Sequence, residues 1–275
     1  MKNILIFGAN SQISKGLIKI HQELGHKIFG IFHQKRENNH PVINDISLDV
    51  ALNFNENFDV IYLIGAFVPR GKYNEPNEMF YTVNVQPFLE LTQKFQEARF
   101  IMASTVAVYG SILNYIDENS PINPQNLYAK SKLDGELLIS KMKSSLIIRF
   151  SSIYGKPNTE DNFIDRCIQQ ALNNRQIVIY GQGLRKQNYI HINDVIELLF
   201  LASQSQYNGY LLGTSDISVS NFEIAEYISN KTNATIHFQG EDLSTSSFYS
   251  NLLTKTILNF DPISFKEGID RILES

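Results

Sequence analysis

Cysteine is nearly absent from this chain: Cys167 is the single thiol in 275 residues. No internal disulfide can form, and the stapled architecture of small secreted domains is excluded. The neighbours Phe163, Ile164 and Ile168 lie with it in an expected helix and mark it as a buried structural thiol. An excess of one charge is lacking too. The formal net charge of −4 provides no basic field, so no nucleic-acid partner is expected. Long apolar runs are missing, and none approaches the ~20 residues of a bilayer-spanning helix. The start, Met1-Lys2-Asn3-Ile4, runs directly into an expected strand and carries no signal-peptide pattern. A cytoplasmic protein without a membrane partner is therefore expected. The six histidines are scattered without ligand-like spacing, which argues against a metal site. No repeat or low-complexity tract interrupts the chain. Polar clusters at 34–40 and 240–250 read as surface loops, the second as a flap over a substrate.

What is present is enough apolar material, 43% of residues, for one large α/β domain and a smaller lobe. Strand and helix patterns alternate to about residue 150, which predicts a parallel, doubly wound sheet. Beyond that point the alternation is irregular, with helices expected over 162–173 and 221–230. The run Asn3-Ile4-Leu5-Ile6-Phe7 reads as a buried first strand, followed by a tight turn at Gly8-Ala9-Asn10-Ser11-Gln12-Ile13-Ser14 and a helix. A dinucleotide-binding turn carries glycines because backbone must approach a pyrophosphate at a helix N-terminus. Here Gly8 remains, and Ser11 and Ser14 occupy the second and third glycine places. After the second strand, Lys27-Ile28-Phe29-Gly30-Ile31-Phe32, no acid comes before Glu37, while His33, Lys35 and Arg36 come first. An acid at that point holds a ribose hydroxyl and basic groups meet a 2′-phosphate, so NADP(H) is favoured, with NAD(H) as the alternative.

Two further stretches read as one proton-transfer site: Ser104-Thr105-Val106-Ala107-Val108-Tyr109-Gly110 and Tyr128-Ala129-Lys130-Ser131-Lys132. On a helix, positions i and i+4 share a face, which brings the Lys132 ammonium close to the Tyr128 ring. A phenol ionises near pKa 10, so its use near pH 7 requires the charged form to be favoured by roughly 3 units, or about 4 kcal/mol. A cation about 4 Å away at an effective dielectric of about 20 supplies an amount of that order. The Thr105 hydroxyl would bond the same substrate oxygen and hold it in line with the tyrosine.

These motifs, in this order, resemble the extended short-chain dehydrogenase/reductase family, in particular its nucleotide-sugar epimerase, dehydratase and reductase group, over nearly the whole chain. The resemblance implies a Rossmann-type doubly wound parallel sheet with a smaller C-terminal substrate-binding lobe. Residues 1–150 would be the NAD(P)-binding domain, and 151–275 mainly the substrate lobe, with crossings back to the first domain. It makes Thr105, Tyr128 and Lys132 the catalytic residues, with Glu136 at a usual place in the same helix. Gly8, Asn10, Ser11, Gln12 and Ile13 would meet the cofactor, joined by the adenine-side pair Asp45-Ile46, by Ile64, Gly65 and Ala66 at the end of the fourth strand, by Asn84 in the following helix, and by Tyr128 and Lys132. Arg149-Phe150-Ser151-Ser152-Ile153-Tyr154-Gly155 is similar to the family's R-x-x-N-V-Y-G segment. Ser152 stands there in the place of an asparagine that meets the substrate's nucleotide, and Gln187 in the place of an arginine that meets the diphosphate. Ser152, Asn162, Arg185 and Gln187 are thus the substrate-side candidates, with Arg185 and Lys186 able to supply the missing charge.

The resemblance implies a nucleotide-sugar substrate and allows a homodimer through the helix of the Tyr-Lys pair. Dehydratases of the group carry an Asp-Glu pair directly after the threonine, whereas this chain has Val106-Ala107, which leaves elimination without an acid and base. Two enzyme reactions stay open. A ketoreductase would reduce a keto group, C4 by expectation, with NADPH; an epimerase would oxidise and re-reduce one carbon on a retained cofactor. A non-catalytic NAD(P)-sensing or binding protein is the alternative of another class. The sequence favours the reductase.

Overall fold

Short apolar runs separated by amphipathic ones form the alternating elements of this chain. A computed structural model describes residues 1–32, 41, 43–69, 75–111, 115–155 and 162–274. His33, Lys35 and Arg36, with the rest of the 34–40 loop, lie outside the described residues. In chain order the first elements are β1 (Asn3–Phe7), α1 (Gln12–Glu23), β2 (Lys27–Ile31), β3 (Asn44–Ile46), α2 (Leu48–Leu52), β4 (Val60–Leu63), α3 (Met79–Thr82), α4 (Gln86–Lys94) and β5 (Arg99–Thr105). A 3-10 turn (Val106–Tyr109) follows, then β6 (Tyr115–Ile116), α5 (Leu127–Ile139), β7 (Ser145–Phe150), β8 (Ser152–Tyr154), α6 (Phe163–Asn174), β9 (Gln176–Tyr180), β10 (Lys186–Gln187) and β11 (Tyr189–His191). The remainder is α7 (Ile192–Gln204), β12 (Gly209–Gly213), β13 (Val219–Ser220), α8 (Asn221–Thr232), β14 (Thr235–Gln239), β15 (Phe248–Tyr249), α9 (Leu252–Leu258) and α10 (Phe265–Leu273).

The chain divides into two compact units. The first comprises Met1–Gly110, Pro121–Arg149 and Ile196–Leu211, and the second Ser111–Ser120, Phe150–Val195 and Leu212–Ser275. The central sheet has seven strands in the order β12-β7-β5-β4-β1-β2-β3. The pairs β1–β2, β1–β4, β2–β3 and β4–β5 run parallel. The order reverses at β1, where the chain first steps outward to β2 and β3 and then returns to β4, the arrangement of a doubly wound Rossmann sheet. Leu5 and Phe7 pack into one apolar cluster with Phe29, Ile61, Leu63, Phe88, Phe100 and Ile147. Ile4 and Ile6, pointing to the opposite face, are equally buried. A sheet covered on both faces needs continuous apolar strands, which is why β1 reads as a run and not an alternation. Each such side chain contributes about 1.5–3 kcal/mol by leaving water.

The second unit has its own core of α6, α8 and α10 residues, among them Ile164, Ile168, Ile224, Ile228 and Ile269, around Ile177, Ile179 and Tyr189. Cys167 lies in that core as a free, buried thiol, and burial pushes its pKa up to about 12. The expected loop at 240–250 contains one short strand, β15, paired with β6. Among the described residues, no helix is long and apolar enough to cross a membrane, and no group of His, Cys, Asp and Glu is placed to hold a metal ion.

Candidate active site

The turn after β1 is closed by its own serines. Gly8 has φ +87°, and its N–H donates to Ile31 O at 3.0 Å. Ser11 caps α1 by accepting from Ser14 N at 3.0 Å, and the two hydroxyls lie 2.8 Å apart. Ser14, fully buried, donates to Gly8 O at 2.9 Å. The two residues in the expected glycine places therefore tie the turn to the first helical turn and leave Asn10, Gln12 and Ile13 at its N-terminus. Gly65, just beyond β4, donates to Phe7 O at 2.8 Å. A Cβ at Gly8 would fall 2.3 Å from Gly65 Cα, so two backbones meet where neither residue can carry a side chain. Gly8→Ala is expected to lose about 1–3 kcal/mol from the backbone conformation alone, more from the clash, and most cofactor binding. Thermal melting and a cofactor titration check both losses. Asp45 is exposed on β3, in register with Gly30, and Ile46 beside it is in register with Ile31. Ile64 is buried and Ala66 half-buried after β4.

The proton-transfer candidates sit on β5, the 3-10 turn and α5. Asn126 caps α5 by accepting from Ala129 N at 2.8 Å, which sets the helical phase two residues before Tyr128. Tyr128 is half-buried. Lys132 is 2% exposed, and its Nζ donates to Ala103 O at 2.7 Å. Burial pushes the Lys132 pKa down to about 8, against a raising pull from Glu136. Thr105, the last residue of β5, accepts at its Oγ1 from Ala107 N at 3.1 Å, which leaves the hydroxyl proton to be donated to a substrate oxygen. Val106 and Ala107 lie in the 3-10 turn, and neither bears an acid or base.

Asn84 is placed differently from expectation. It lies in the break between α3 and α4, not within a helix. Its Oδ1 accepts from Phe67 N at 2.7 Å and its Nδ2 donates to Phe67 O and Ser131 Oγ at 3.2 and 2.9 Å. Fully buried, it ties the segment after β4 to α5. Pro87 at the start of α4 marks the break and was the signal for it.

In the second unit, the structure brings together all four substrate-side candidates. Ser152, Asn162, Arg185 and Gln187 line one cavity of about 760 Å³. Asn162 caps α6, with Oδ1 accepting from Asp165 N at 3.0 Å and Nδ2 donating to Ile153 O at 2.8 Å. Gln187 accepts from Tyr189 Oη at 2.7 Å, and Arg185 Nε donates to Thr245 O at 3.3 Å. The last bond draws the 240–250 segment to the cavity, whose lining includes Asp242, Leu243 and Ser244. Arg166 and Asn221 also line it and escaped the sequence reading. Arg166 is one turn beyond Asn162 on α6, so the i, i+4 spacing would have found it.

A family profile described as the NAD dependent epimerase/dehydratase family matches residues 4–213. The chain belongs to this family. A Methanocaldococcus jannaschii relative of this epimerase/dehydratase chain, named putative UDP-glucose 4-epimerase, is 28% identical over 251 residues, 84% of this chain and 81% of its own. The solved UDP-glucose 4-epimerase of Thermotoga maritima, with UDP-glucose, superposes with a TM-score of 0.87 at 16% identity, covering 99% of this chain and 97% of that one. UDP-glucuronic acid 4-epimerase from Bacillus cereus, in complex with UDP-glucuronic acid and NAD, gives 0.81 at 21% identity and 99% of each chain. At such identities the two structures establish likeness of fold. Within the epimerase/dehydratase family, this chain keeps the doubly wound sheet that its alternating strands and helices predict.

Proposed function

We propose that this chain catalyses NAD(P)-dependent oxidoreduction at a sugar carbon of a nucleotide-linked sugar. The observation that carries the reading is the assembly on β5 and α5 of a donor-poised Thr105 hydroxyl and a Tyr128 four residues from a buried, charged Lys132. The close approach of Gly8 and Gly65 at the N-terminal side of α1 suits a dinucleotide, because backbone amides and a helix N-terminus favour a pyrophosphate. Asn10, Ser11, Gln12 and Ile13 would hold it there, with Asp45 and Ile46 at the adenine side. When bound, the nicotinamide takes or gives the hydride at the sugar carbon. Tyr128 exchanges the proton of the sugar oxygen, Lys132 favours its phenolate, and Thr105 orients the oxygen by donating to it. In the second unit, the Arg166 and Arg185 guanidiniums would meet the diphosphate, and Ser152, Asn162 and Gln187 the rest of the nucleotide. Residues 1–150 are assigned mainly to the cofactor and 151–275 mainly to the substrate.

Epimerisation is the first reading, supported by the family description and by relatives named as epimerases. A C4 ketoreductase using NADPH is the second, favoured by His33, Lys35 and Arg36 preceding any acid after β2. Stoichiometry separates the two. With candidate nucleotide sugars, an epimerase interconverts two products of equal mass with no net loss of nicotinamide absorbance. A reductase consumes one NADPH per sugar, with a two-hydrogen mass gain in the product. Absence of both, with cofactor bound, would leave a cofactor-binding protein.

A further inference from the structure

A buried ionic network continues the buried face of α5 beyond Lys132, and the proton exchange at Tyr128 does not use it. Glu136, one turn beyond Lys132 on α5, is fully buried. Its Oε1 accepts from Ser104 Oγ at 2.5 Å and from Arg149 Nε at 3.1 Å, and its Oε2 accepts from Arg149 Nε and Nη2 at 3.2 and 2.7 Å. Arg149 Nη1 donates onward to Tyr109 Oη at 2.8 Å, and its guanidinium carbon lies 4.9 and 4.4 Å from the Tyr109 and Tyr210 ring centres. Ser104 precedes Thr105 on β5, so one carboxylate joins β5, α5 and β7, and Arg149 extends the network to the 3-10 turn.

A buried ion pair gains little for stability over apolar residues of the same volume, because desolvation offsets its Coulomb energy. What distinguishes this one is a second cation. Among the described residues, the groups around Lys132 and the network include Tyr128 and Glu136 on its own helix, the Ala103 carbonyl and Ser104 of β5, Phe88 of α4 with its ring 6.0 Å from Nζ, Tyr109 of the 3-10 turn, Arg149 of β7 and Tyr210 of β12. The one carboxylate among these groups, Glu136, is bonded to the Arg149 guanidinium and lies one turn from Lys132 on the same buried face of α5, where its charge also acts on the ammonium through space.

We propose that Glu136 is a positioning residue of the active site: clamped by Ser104 and Arg149, its carboxylate holds the buried Lys132 in place as a cation beneath Tyr128. The proposal rests on the acid-base reading of Tyr128 and Lys132 for its consequence, and on the buried geometry alone for its test. Arg149 competes for the same carboxylate and so sets how much of its charge Lys132 receives. The two partners of Glu136 thus act on Lys132 with opposite sign: losing the carboxylate discharges it more easily, and losing the guanidinium retains its proton to higher pH.

The full chain is labelled with [ε-13C]lysine, and the Lys132 signal is assigned by its loss in Lys132→Arg. Its midpoint is followed against pH, with no sugar or cofactor present. Glu136→Gln is expected to lower the midpoint by at least about one pH unit, and Arg149→Met to raise it. An unchanged midpoint in either folded variant overturns the proposal and leaves the network to the fold alone. Should Glu136→Gln fail to fold, Arg149→Met decides, since it keeps the Glu136 carboxylate bonded to Ser104, with the Lys132 ammonium one turn away as its remaining countercharge. A Tyr128→Phe variant with full turnover would count against the acid-base reading and leave these midpoints untouched, so the two failures are distinct.

Discussion

Tyr128→Phe is expected to lower turnover by about 10²- to 10⁴-fold, the range of a lost general acid-base group, while cofactor binding is retained. The change removes one oxygen from a half-buried side chain near the start of α5, whose cap, Asn126, and whose buried face, Ala129, Ser131, Lys132, Gly135 and Glu136, are untouched. Fold and affinity therefore persist, and the loss resides in proton transfer. Single-turnover measurement beside a nicotinamide-fluorescence titration separates the two. Turnover within a few-fold of the unaltered protein would take the phenol out of the mechanism.

Lys132→Met is expected to act in opposite directions on activity and stability. Without the cation the phenol returns toward its ordinary pKa near 10, and turnover at pH 7 falls by about 10²- to 10³-fold. Stability moves the other way. Burial lowers the Lys132 pKa from 10.5 to about 8, so between those pH values the folded state binds fewer protons than the unfolded one. The native state therefore carries a penalty of roughly 3 kcal/mol at pH 7, which fades as pH rises through that window. A methionine of similar volume bears no such penalty. The variant should melt at a higher temperature at pH 7, and its advantage should shrink by pH 10. Equal melting temperatures at pH 7 would show that the lysine is not desolvated as the geometry implies.

Local chemistry was legible wherever the signal and its consequence lie within a few residues. The apolar run of β1, the turn at Gly8 and the spacing of Tyr128 to Lys132 could be read directly, since strand period, positive φ and helical pitch are properties of neighbouring residues. Even Ser11 and Ser14, departures from the glycine pattern, form a local device in which a cap and a hydroxyl bond to Gly8 O close the turn. Asn84 is the counterexample. The family resemblance put it in a helix, but bonds to Phe67, 17 residues earlier, and to Ser131, 47 later, hold it in a break. Two hydrogen bonds to one backbone segment outweigh the small propensity difference of a single residue.

By itself, then, the sequence determined that a phenol and an ammonium share one helical face after a threonine-ended strand, and that no acid-base pair follows that threonine. Only the tertiary structure decided the electrical state of that face. Lys132 is buried with its Nζ bonded to Ala103 O and set over the Phe88 ring, and the carboxylate whose charge acts on it, Glu136, is paired with Arg149, 13 residues further on. Charge energies depend on the dielectric and on distances through space, and neither is a property of sequence spacing; they come into being when β5, α4, α5 and β7 close around the site.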